Sequence, residues 1–360
     1  MSGIVGDNTD DGSGVINTPA GGATVSSSNP TITTNADLGT NWANSSTGDY
    51  YICTDATTNR NVWTNVDAAQ DSIVPWTFQG SEYGLSMGGQ SPAGQSNVVQ
   101  RYSYSADSNS TDVGNLLAAT YQWGGVSSDG YSYTHGGGAT AIDVISKVAN
   151  ATTADATDVG NLILAVYSPV GCSSSTYGYS SGGKNSGATE QDSITKFSVS
   201  SDGDAADVAN LLMVVNLAAG LSTVDYGWVA GDEPASNVIQ RFSFSSDSDA
   251  TDVGNLYSVA NACAGTSDTD YGFVTGNYPA VNIIQRFQFA SSSDATDNAN
   301  LYQSSAHDGS SSATGYGYIH GGYIPGGTNV IQKYQWATSA DGTDVGDLLV
   351  AEWSIAGAQY

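Results

Sequence analysis

A phrase close to TDVGNL recurs six times along this chain, and no other feature constrains the fold so strongly. The phrase returns after 45 to 49 residues, and its Asp is Asp112, Asp158, Asp207, Asp252, Asp297 and Asp344. A cation stands eleven residues before each Asp, as Arg101, Lys147, Lys196, Arg241, Arg286 and Lys333. Self-similarity at this period is typical of chains in which one supersecondary unit buries its core only against neighbouring copies. We therefore expect six stacked units.

Each repeat predicts four short β-strands. The segment YGYSSGG at 177–183 is a strand that ends in a glycine pair, and NVIQRFSFSS at 237–246 alternates with the period of a strand. TDVGNL follows an Asp/Ser turn, and the apolar LLMVVNLAAG at 211–220 is the expected strand nearest the axis. Abundant Gly, Ser, Thr, Asn and Asp disfavour helix. Four strands in each of six repeats predict an all-β fold, a β-propeller of four-stranded blades.

The two ends of the repeat array leave the number of blades open between six and seven. SIVPWTF at 72–78 and LLVAEWSI at 348–355 are both apolar enough to be a strand nearest the axis. Propellers avoid open edges by closing the ring with strands from both ends of the chain. Six blades need one of these strands, and this is the number we favour. Seven would use both, with a hairpin at 48–66 as a degenerate blade.

The segment before the repeats predicts two further parts. Residues 1–47 are rich in Gly, Ser, Thr and Asn, so we expect an extended arm that orders only against another chain. Residues 48–71 predict a β-hairpin that serves as an attachment module, and 72–360 form the predicted propeller. The start of the sequence lacks the basic and apolar segments of a secretory signal peptide. No apolar run is long enough to span a membrane.

Charge excludes some classes of partner. The chain has 8 Lys and Arg against 35 Asp and Glu, a net charge of −27. Such a surface repels phosphate and anionic lipid, so neither nucleic acid nor membrane insertion is expected. The three cysteines, Cys53, Cys172 and Cys263, lie far apart and make neither a disulfide framework nor a zinc-ligand spacing. We interpret them as small buried apolar residues.

The recurring cation and the Asp eleven residues later predict a structural ion pair, or a contact of the cation with a backbone carbonyl. The two residues stand on either side of the predicted turn between the third and fourth strands, so their pairing would lock that hairpin. The alternative, six cations that bind an anionic ligand, fits poorly with the surrounding negative charge. Only Arg60 and Lys184 stand outside the repeat.

The turn before each Asp is acidic and is the candidate metal site. Carboxylates two residues apart on a tight loop can converge on Ca²⁺, which takes six to eight oxygen ligands. The candidate ligands are Asp107, Asn109, Asp202, Asp204, Asp247 and Asp249. The alternative is that these residues are ordinary turn formers, since no loop has the full calcium pattern with its bidentate Glu. The sequence thus predicts either no cofactor or Ca²⁺.

The sequence predicts no catalytic site. His135 and His320 occupy the same position in their repeats, just before a glycine pair, and His307 lies outside that pattern. No Ser/His/Asp or Cys/His spacing suggests a nucleophile, and the glycines fall at strand ends rather than before a helix. We therefore expect a protein that is not an enzyme.

The loops of variable length predict a ligand face. Insertions in repeat proteins collect on one face, which is often the binding face. The candidate ligand residues there are Tyr278, Tyr323, Asp232 and Glu233. Tyrosine and carboxylate side chains suit the stacking and hydroxyl hydrogen bonds of sugars. The alternative is that these loops are plain solvent-facing turns.

The glycine-ended strands carry a first resemblance. YSYTHGG at 131–137, YGYSSGG at 177–183 and YGYIHGG at 316–322 resemble the kelch repeat. The Trp of the fourth kelch strand is absent, and TDVGNL stands there instead. The glycine pair is lost after Tyr226 and Tyr271. The resemblance implies the propeller architecture and leaves the partner open.

A second resemblance covers most of the chain. IQRFSFSSDSDATDVGNL at 239–256 and WTFQGSEYGLSMGG at 76–89 are similar to repeats in virion proteins of marine bacteriophages. The segment at 48–66 resembles a small hairpin module that often precedes such arrays, and the opening MSGIVGDNTDDGSGVI resembles the start of phage tail and fibre proteins.

This resemblance implies a structural virion component of the tail, fibre or capsid. Such a protein would be present in many copies or as a homo-oligomer, would assemble in the host cytoplasm, and would contact other virion proteins through the N-terminal arm. The alternative function is a carbohydrate-binding adhesin that attaches to a host-surface glycan through the variable loops.

Overall fold

The computed structural model describes residues 22–58, 60–66, 72–73 and 77–360. These residues form 29 β-strands and no helix, as the composition predicts. The chain divides into two compact units, Met1–Trp76 and Thr77–Tyr360. This boundary lies five residues after the predicted one at 71.

The first unit contains one four-stranded sheet. Its strands are β1 (Thr24–Ser26), β2 (Asn41–Asn44), β3 (Tyr50–Asp55) and β4 (Val62–Asn65), in that order across the sheet. β1 and β2 are parallel, and the other pairs are antiparallel.

The predicted hairpin at 48–66 corresponds to β3 and β4, but the described part of the predicted arm belongs to the same sheet. Tyr51, Cys53 and Trp63 form a small buried core, and Trp42 of β2 packs edge-on against Trp63 with ring centroids 5.9 Å apart. The boundary that we predicted after residue 47 therefore falls inside a sheet. Residues 1–21 of the predicted arm lie outside the described residues.

The second unit contains six further sheets, which we number 1 to 6 along the chain. Sheet 1 contains β5 (Tyr83–Ser91), β6 (Gly94–Ser103) and β7 (Thr111–Asn115). Sheet 2 contains β8 (Gly124–Ser127), β9 (Tyr131–His135), β10 (Ile142–Ala149) and β11 (Thr157–Tyr167). Sheet 3 contains β12 (Val170–Ser173), β13 (Tyr177–Ser181), β15 (Ser193–Ser198) and β16 (Ala206–Asn210), while the short β14 (Lys184–Asn185) pairs with β11.

The remaining sheets repeat the same order of strands. Sheet 4 contains β17 (Ala219–Ser222), β18 (Tyr226–Ala230), β19 (Ser236–Ser243) and β20 (Thr251–Ala260). Sheet 5 contains β21 (Ala264–Ser267), β22 (Tyr271–Thr275), β23 (Val281–Gln288) and β24 (Thr296–Ser305). Sheet 6 contains β25 (Gly309–Ala313), β26 (Tyr316–His320), β27 (Thr328–Gln335) and β28 (Thr343–Glu352). Together with the first unit this makes seven sheets, an architecture compatible with a β-propeller.

The C-terminal strand completes sheet 1. β29 (Ala356–Gln359) pairs antiparallel with β5, from Ala356 opposite Met87 to Gln359 opposite Gly84. The C-terminal end thus supplies a first strand, as expected, but not from the predicted segment 348–355. Most of that segment belongs to β28, the last strand of sheet 6.

The first strand of each sheet is short and made of small residues, contrary to our expectation for 211–220. The first strand of sheet 4 is Ala219–Ser222, whereas Leu212, in the connection before it, is 53% exposed. The reason is lack of space, because a Cβ atom at Gly171 would overlap the carbonyl oxygen of Gly125 in the neighbouring first strand. At this glycine position the neighbouring backbone leaves no room for a leucine side chain, whereas the next position of the strand can hold one, as the buried Leu221 shows.

Buried aromatic residues fill the space between sheets. The aromatic residue after the repeated cation covers the glycine of YGY in its own sheet, so that a Cβ at Gly178 would overlap the ring of Phe197. Sheet 2 has the opposite combination, since Ser132 replaces the glycine and pairs with the smaller Val148. Both combinations fill about the same volume, which is what close-packed interiors require.

Candidate functional site

The repeated lysines pair with carboxylates of the next sheet rather than with the Asp of their own hairpin. The Lys196 Nζ atom lies 2.7 Å from the Asp247 carboxylate in the turn of sheet 4, and 4.8 Å from the centre of the Tyr177 ring. Two other lysines do the same, with Lys147 3.0 Å from Asp202 and Lys333 2.6 Å from Asp107. These ion pairs differ from the ones that we predicted.

Strand register explains the difference. Lys147 lies directly opposite Thr157, and Ser146 lies opposite Asp158. Because successive side chains of a strand point to opposite faces, Asp158 points away from Lys147. The Asp158 carboxylate instead accepts a hydrogen bond from the Gly160 N–H at 3.2 Å. Asp112, Asp252 and Asp344 accept the corresponding N–H groups of Gly114, Gly254 and Gly346, and Asp207 and Asp297 occupy the same register position.

The arginines contact aromatic rings, and one of them also donates a hydrogen bond to a backbone carbonyl. Arg101 donates to the Asn150 carbonyl at 2.6 Å and lies 4.5 Å from the centre of the Tyr83 ring. The Arg241 guanidinium lies 4.4 Å from the Tyr226 ring, and Arg286 has the same kind of contact with Tyr271. Every repeated cation thus has a structural contact. Lys184, which we expected to stand alone, is 3.4 Å from Glu190 and 3.5 Å from Glu233.

The candidate calcium ligands are also used in contacts between sheets. Asp107, Asp202 and Asp247 pair with the lysines described above. The Asp204 carboxylate accepts the Asn161 N–H at 2.9 Å, and Asp249 accepts the Asn210 N–H at the same distance. Over the described ranges of the chain, no three His, Cys, Asp or Glu side chains are grouped to hold a metal ion.

At the interface between sheet 6 and sheet 1, the Asn and the Asp of one of these contacts have changed places. At five interfaces the Asn of TDVGN faces an Asp in the next turn, for example Asn255 and Asp294. At the sixth interface the repeat has Asp347 instead of Asn, and the turn has Asn109 instead of Asp. The Asp347 N–H donates to the Asn109 Oδ1 at 3.1 Å. Aligning the six repeats reveals this exchange, but the predictions from the sequence did not include it.

Each repeat exposes an apolar side chain directly after its buried leucine. These six side chains are between 48% and 61% exposed. They are Leu117, Ile163, Leu212, Tyr257, Tyr302 and Leu349. An exposed apolar side chain thus recurs at the same position of all six repeats.

Aromatic side chains gather at one sector of the edge that carries the variable loops. The rings of Tyr278 and Tyr323 are 6.1 Å apart, and His307 lies 6.0 Å from Tyr278 and 6.4 Å from Tyr323. Trp353 packs edge-on against Tyr323 at 5.5 Å. Tyr278 is 50% exposed. We call these four residues the aromatic cluster; it unites two of the four predicted ligand residues.

The other two predicted ligand residues belong to a charged group on the same edge. Asp232 accepts hydrogen bonds from the backbone N–H groups of Asn216 and Glu233, and burial raises its pKa to about 6. Glu233 faces Lys184, and its carboxylate partly opposes the lowering of the His307 pKa that burial causes. The charged group and the aromatic cluster therefore lie within electrostatic range of each other.

A buried carboxyl lies beside the aromatic cluster. Asp308 follows His307 and is 9% exposed; burial raises its pKa to about 8. Its Oδ1 atom accepts a hydrogen bond from the Ser305 hydroxyl, while Oδ2 has no hydrogen-bond partner among the described residues. Asp308 and His307 both line a cavity of about 130 Å³ between the first strands.

The other two histidines are enclosed in the core. His135 and His320 are fully buried, and burial lowers the pKa of each to about 3. A Cβ atom at Gly124 would overlap the His135 ring, so the glycine makes room for it. His320 Nδ1 is 2.9 Å from the Tyr102 hydroxyl. Since neither ring reaches solvent, neither can contact a dissolved substrate.

Comparison with known proteins adds no relationship, since no known protein family and no curated protein matches the sequence. None of the described residues forms a helix that is long and apolar enough to cross a membrane.

Proposed function

We propose that the second unit is a six-bladed β-propeller, with sheets 1 to 6 as blades. Contacts between first strands support this number because they return to their start. Gly125 packs against Gly357 of β29, Gly357 packs against Ser310, and the Ser310 hydroxyl donates to the Gly265 carbonyl at 2.8 Å. Gly171, Gly220 and Gly265 complete the series, each packed against the preceding first strand.

Backbone hydrogen bonds before the first strands support the same count. Six residues at equivalent positions have a left-handed backbone with φ between 48° and 60°, namely Gln122, Ser168, Leu217, Ala262, His307 and Ser354. The N–H of His307 donates to the carbonyl of Ala262, and that of Ser354 to His307, each at 2.7 Å. The Gln122 N–H then donates to Ser354 at 2.8 Å, which joins the connection after blade 1 to the end of the chain.

We further propose that this propeller is a structural component of a bacteriophage particle, present in many copies. The observation that carries the proposal is the apolar side chain exposed at the same position of all six repeats. Such a repeated apolar surface suits permanent contacts with other particle proteins. The resemblance of the repeats to phage virion proteins points to the same role, as does the use of the repeated charges within the fold. Attachment through the N-terminal segment is part of this proposal.

Incorporation into particles tests this role. Replacing Leu212, Tyr257 and Tyr302 together with Ser should leave the protein folded, because all three side chains are exposed, and should sharply reduce its incorporation. Thr251→Ser and Thr296→Ser, at exposed positions on two of the same strands, are the control. Deleting residues 1–76, the whole first unit, should also prevent incorporation and leave a folded propeller. Unchanged incorporation of both altered proteins would contradict the proposal.

A second candidate function is carbohydrate binding at a host surface. The aromatic cluster favours it, since Tyr278 and Tyr323 expose aromatic surface beside carboxylates on the variable-loop edge. A few polar groups among aromatic side chains are typical of small-molecule sites. Binding to a glycan array by residues 77–360 tests this function, and absence of binding would leave only the structural role.

A further inference from the structure

We propose that the aromatic cluster binds a pyranose ring of an uncharged glycan, with Tyr278 and Tyr323 as the stacking residues. The proposal rests on the second candidate function above and names its site and its ligand class.

The aromatic cluster lies at a position of the loop edge where the residue type differs from repeat to repeat. The residue two positions after the repeated glycine at the end of the second strand lines the loop edge in every blade. These residues are Gln90, Gly138, Lys184, Glu233, Tyr278 and Tyr323. Two pairs of neighbours in this series are in contact: the Lys184 Nζ atom lies 3.5 Å from the Glu233 carboxylate, and the ring centroids of Tyr278 and Tyr323 are 6.1 Å apart. The loop edge is therefore charged at Lys184 and Glu233 and aromatic at Tyr278 and Tyr323.

The other blades show that an aromatic side chain at the His307 position is not needed to hold blades together. His307 occupies the left-handed position that is Gln, Ser, Leu, Ala or Ser in the other blades, and Trp353 has Gln90 as its backbone partner. The hydrogen bonds of this position are made by the backbone, so they do not require an aromatic side chain. Stability of the fold thus gives no reason for an aromatic ring at position 307.

The geometry of the rings suits a sugar. The planes of Tyr278 and Tyr323 are inclined by 47°, so the rings are not stacked on each other, and half of Tyr278 is exposed. Aromatic faces carry negative charge density and attract the C–H groups of a pyranose. Throughout the described residues neither tyrosine hydroxyl has a hydrogen-bond partner, and the Glu233 side chain is 45% exposed. These groups can bond to sugar hydroxyls at the edge of the stacked ring.

Charge selects against acidic glycans. Glu190, Asp232 and Glu233 lie on the neighbouring blades, and the one cation among them, Lys184, is shared by two of these carboxylates. The whole chain carries a net charge of −27. A sialic or uronic acid would approach this edge against both local and long-range repulsion, whereas an uncharged hexose would not.

The test is a glycan array with the labelled full-length protein, followed by titration of the best uncharged glycan against intrinsic tryptophan fluorescence. We expect binding to uncharged glycans, and a loss of affinity of about tenfold or more in Tyr278→Ala and Tyr323→Ala. Tyr257→Ala and Tyr302→Ala, which remove exposed tyrosines from the outer strands, are the controls and should bind normally. If Tyr323→Ala fails to fold, Tyr278→Ala decides, because Tyr278 is half exposed.

The outcomes separate the site from the function. Glycan binding that survives both cluster variants, or that is lost in the outer-strand controls, would place the ligand elsewhere and overturn this inference while the adhesin function stands. Absence of binding to any glycan would overturn both. Preferential binding of acidic glycans would overturn the assignment of ligand class.

Discussion

Replacing Asn109 with Asp should destabilise the second unit, because the new carboxylate would face Asp347 across the interface between sheet 6 and sheet 1. This is the interface where the repeat exchanges Asn and Asp. At the other five interfaces the Asn Nδ2 atom lies 3.1 to 3.4 Å from the facing Asp Oδ1. Two carboxylates would meet at about that separation in the variant.

The magnitude follows from this distance and from exposure. Two like charges about 4 Å apart repel by about 1 kcal/mol in water and about 4 kcal/mol at the effective dielectric of a protein surface. Because the residues are exposed, we expect Asn109→Asp to cost about 1–2 kcal/mol. Asp347→Asn alone removes a charge without creating repulsion, so it should cost about 0.5 kcal/mol. The double variant restores the arrangement of the other five interfaces and should be close to the original stability.

A double-mutant cycle measured by urea unfolding gives the coupling energy, expected to be about 1.5–2.5 kcal/mol. The matched control is the cycle of Asn210→Asp and Asp249→Asn at the interface between sheets 3 and 4, where the first change alone creates the same repulsion. If the control shows coupling and the cycle at 109 and 347 is additive within about 0.3 kcal/mol, the two residues are not neighbours. The six-bladed proposal would then be refuted.

Three further predictions concern single residues. Arg241→Met should lower stability by about 1–2 kcal/mol, since its contacts with two aromatic rings are lost, and an unchanged melting temperature would show that the side chain is merely solvated. His135 and His320 have pKa values lowered to about 3, so the unfolded chain binds more protons below pH 6.5, and each should cost about 2 kcal/mol at pH 5. The difference in melting temperature between the wild type and His135→Asn should therefore shrink or reverse from pH 7 to pH 4, and a constant difference would contradict this reasoning. Gly178→Ser should cost about 2–3 kcal/mol by overlapping Phe197, and the added change Phe197→Val, which copies the pair in sheet 2, should recover most of it in thermal unfolding.

Some predictions succeeded because they depend on local pattern. The all-β class follows from composition and alternation, and the second and third strands lie where YGYSSGG and NVIQRFSFSS place them. The loss of the glycine pair after Tyr226 is also explained locally. Where the pair is present both glycines have a positive φ, as Gly182 at 64° and Gly183 at 91° do, whereas here only Gly231 has one, at 81°. The second position supplies an N–H donor, which Asp232 provides equally well.

Our prediction of the strand nearest the axis was wrong for a physical reason. We expected the most apolar segment, 211–220, to be buried on both faces. First strands in this fold approach one another so closely that one position of each strand has no room for a large side chain, as at Gly220 against Gly171, although the next position can hold a residue such as Leu221. Part of the apolar segment lies in the connection before the strand and exposes Leu212. Hydrophobicity indicates burial, but it does not reveal how much space the neighbouring backbone leaves.

The sequence alone determined the period, the class of fold and the fact that each cation has a structural partner. It could not determine which partner, because in a repeat every spacing recurs: Lys196 precedes Asp207 by 11 residues and Asp247 by 51, and each interval has counterparts in other repeats. The tertiary structure chose Asp247, since strand register turns Asp207 to the opposite face and brings the next sheet's turn within 2.7 Å. For the same reason only the structure could bring Tyr278 and Tyr323 together, because residues 45 apart meet only when consecutive sheets lie side by side.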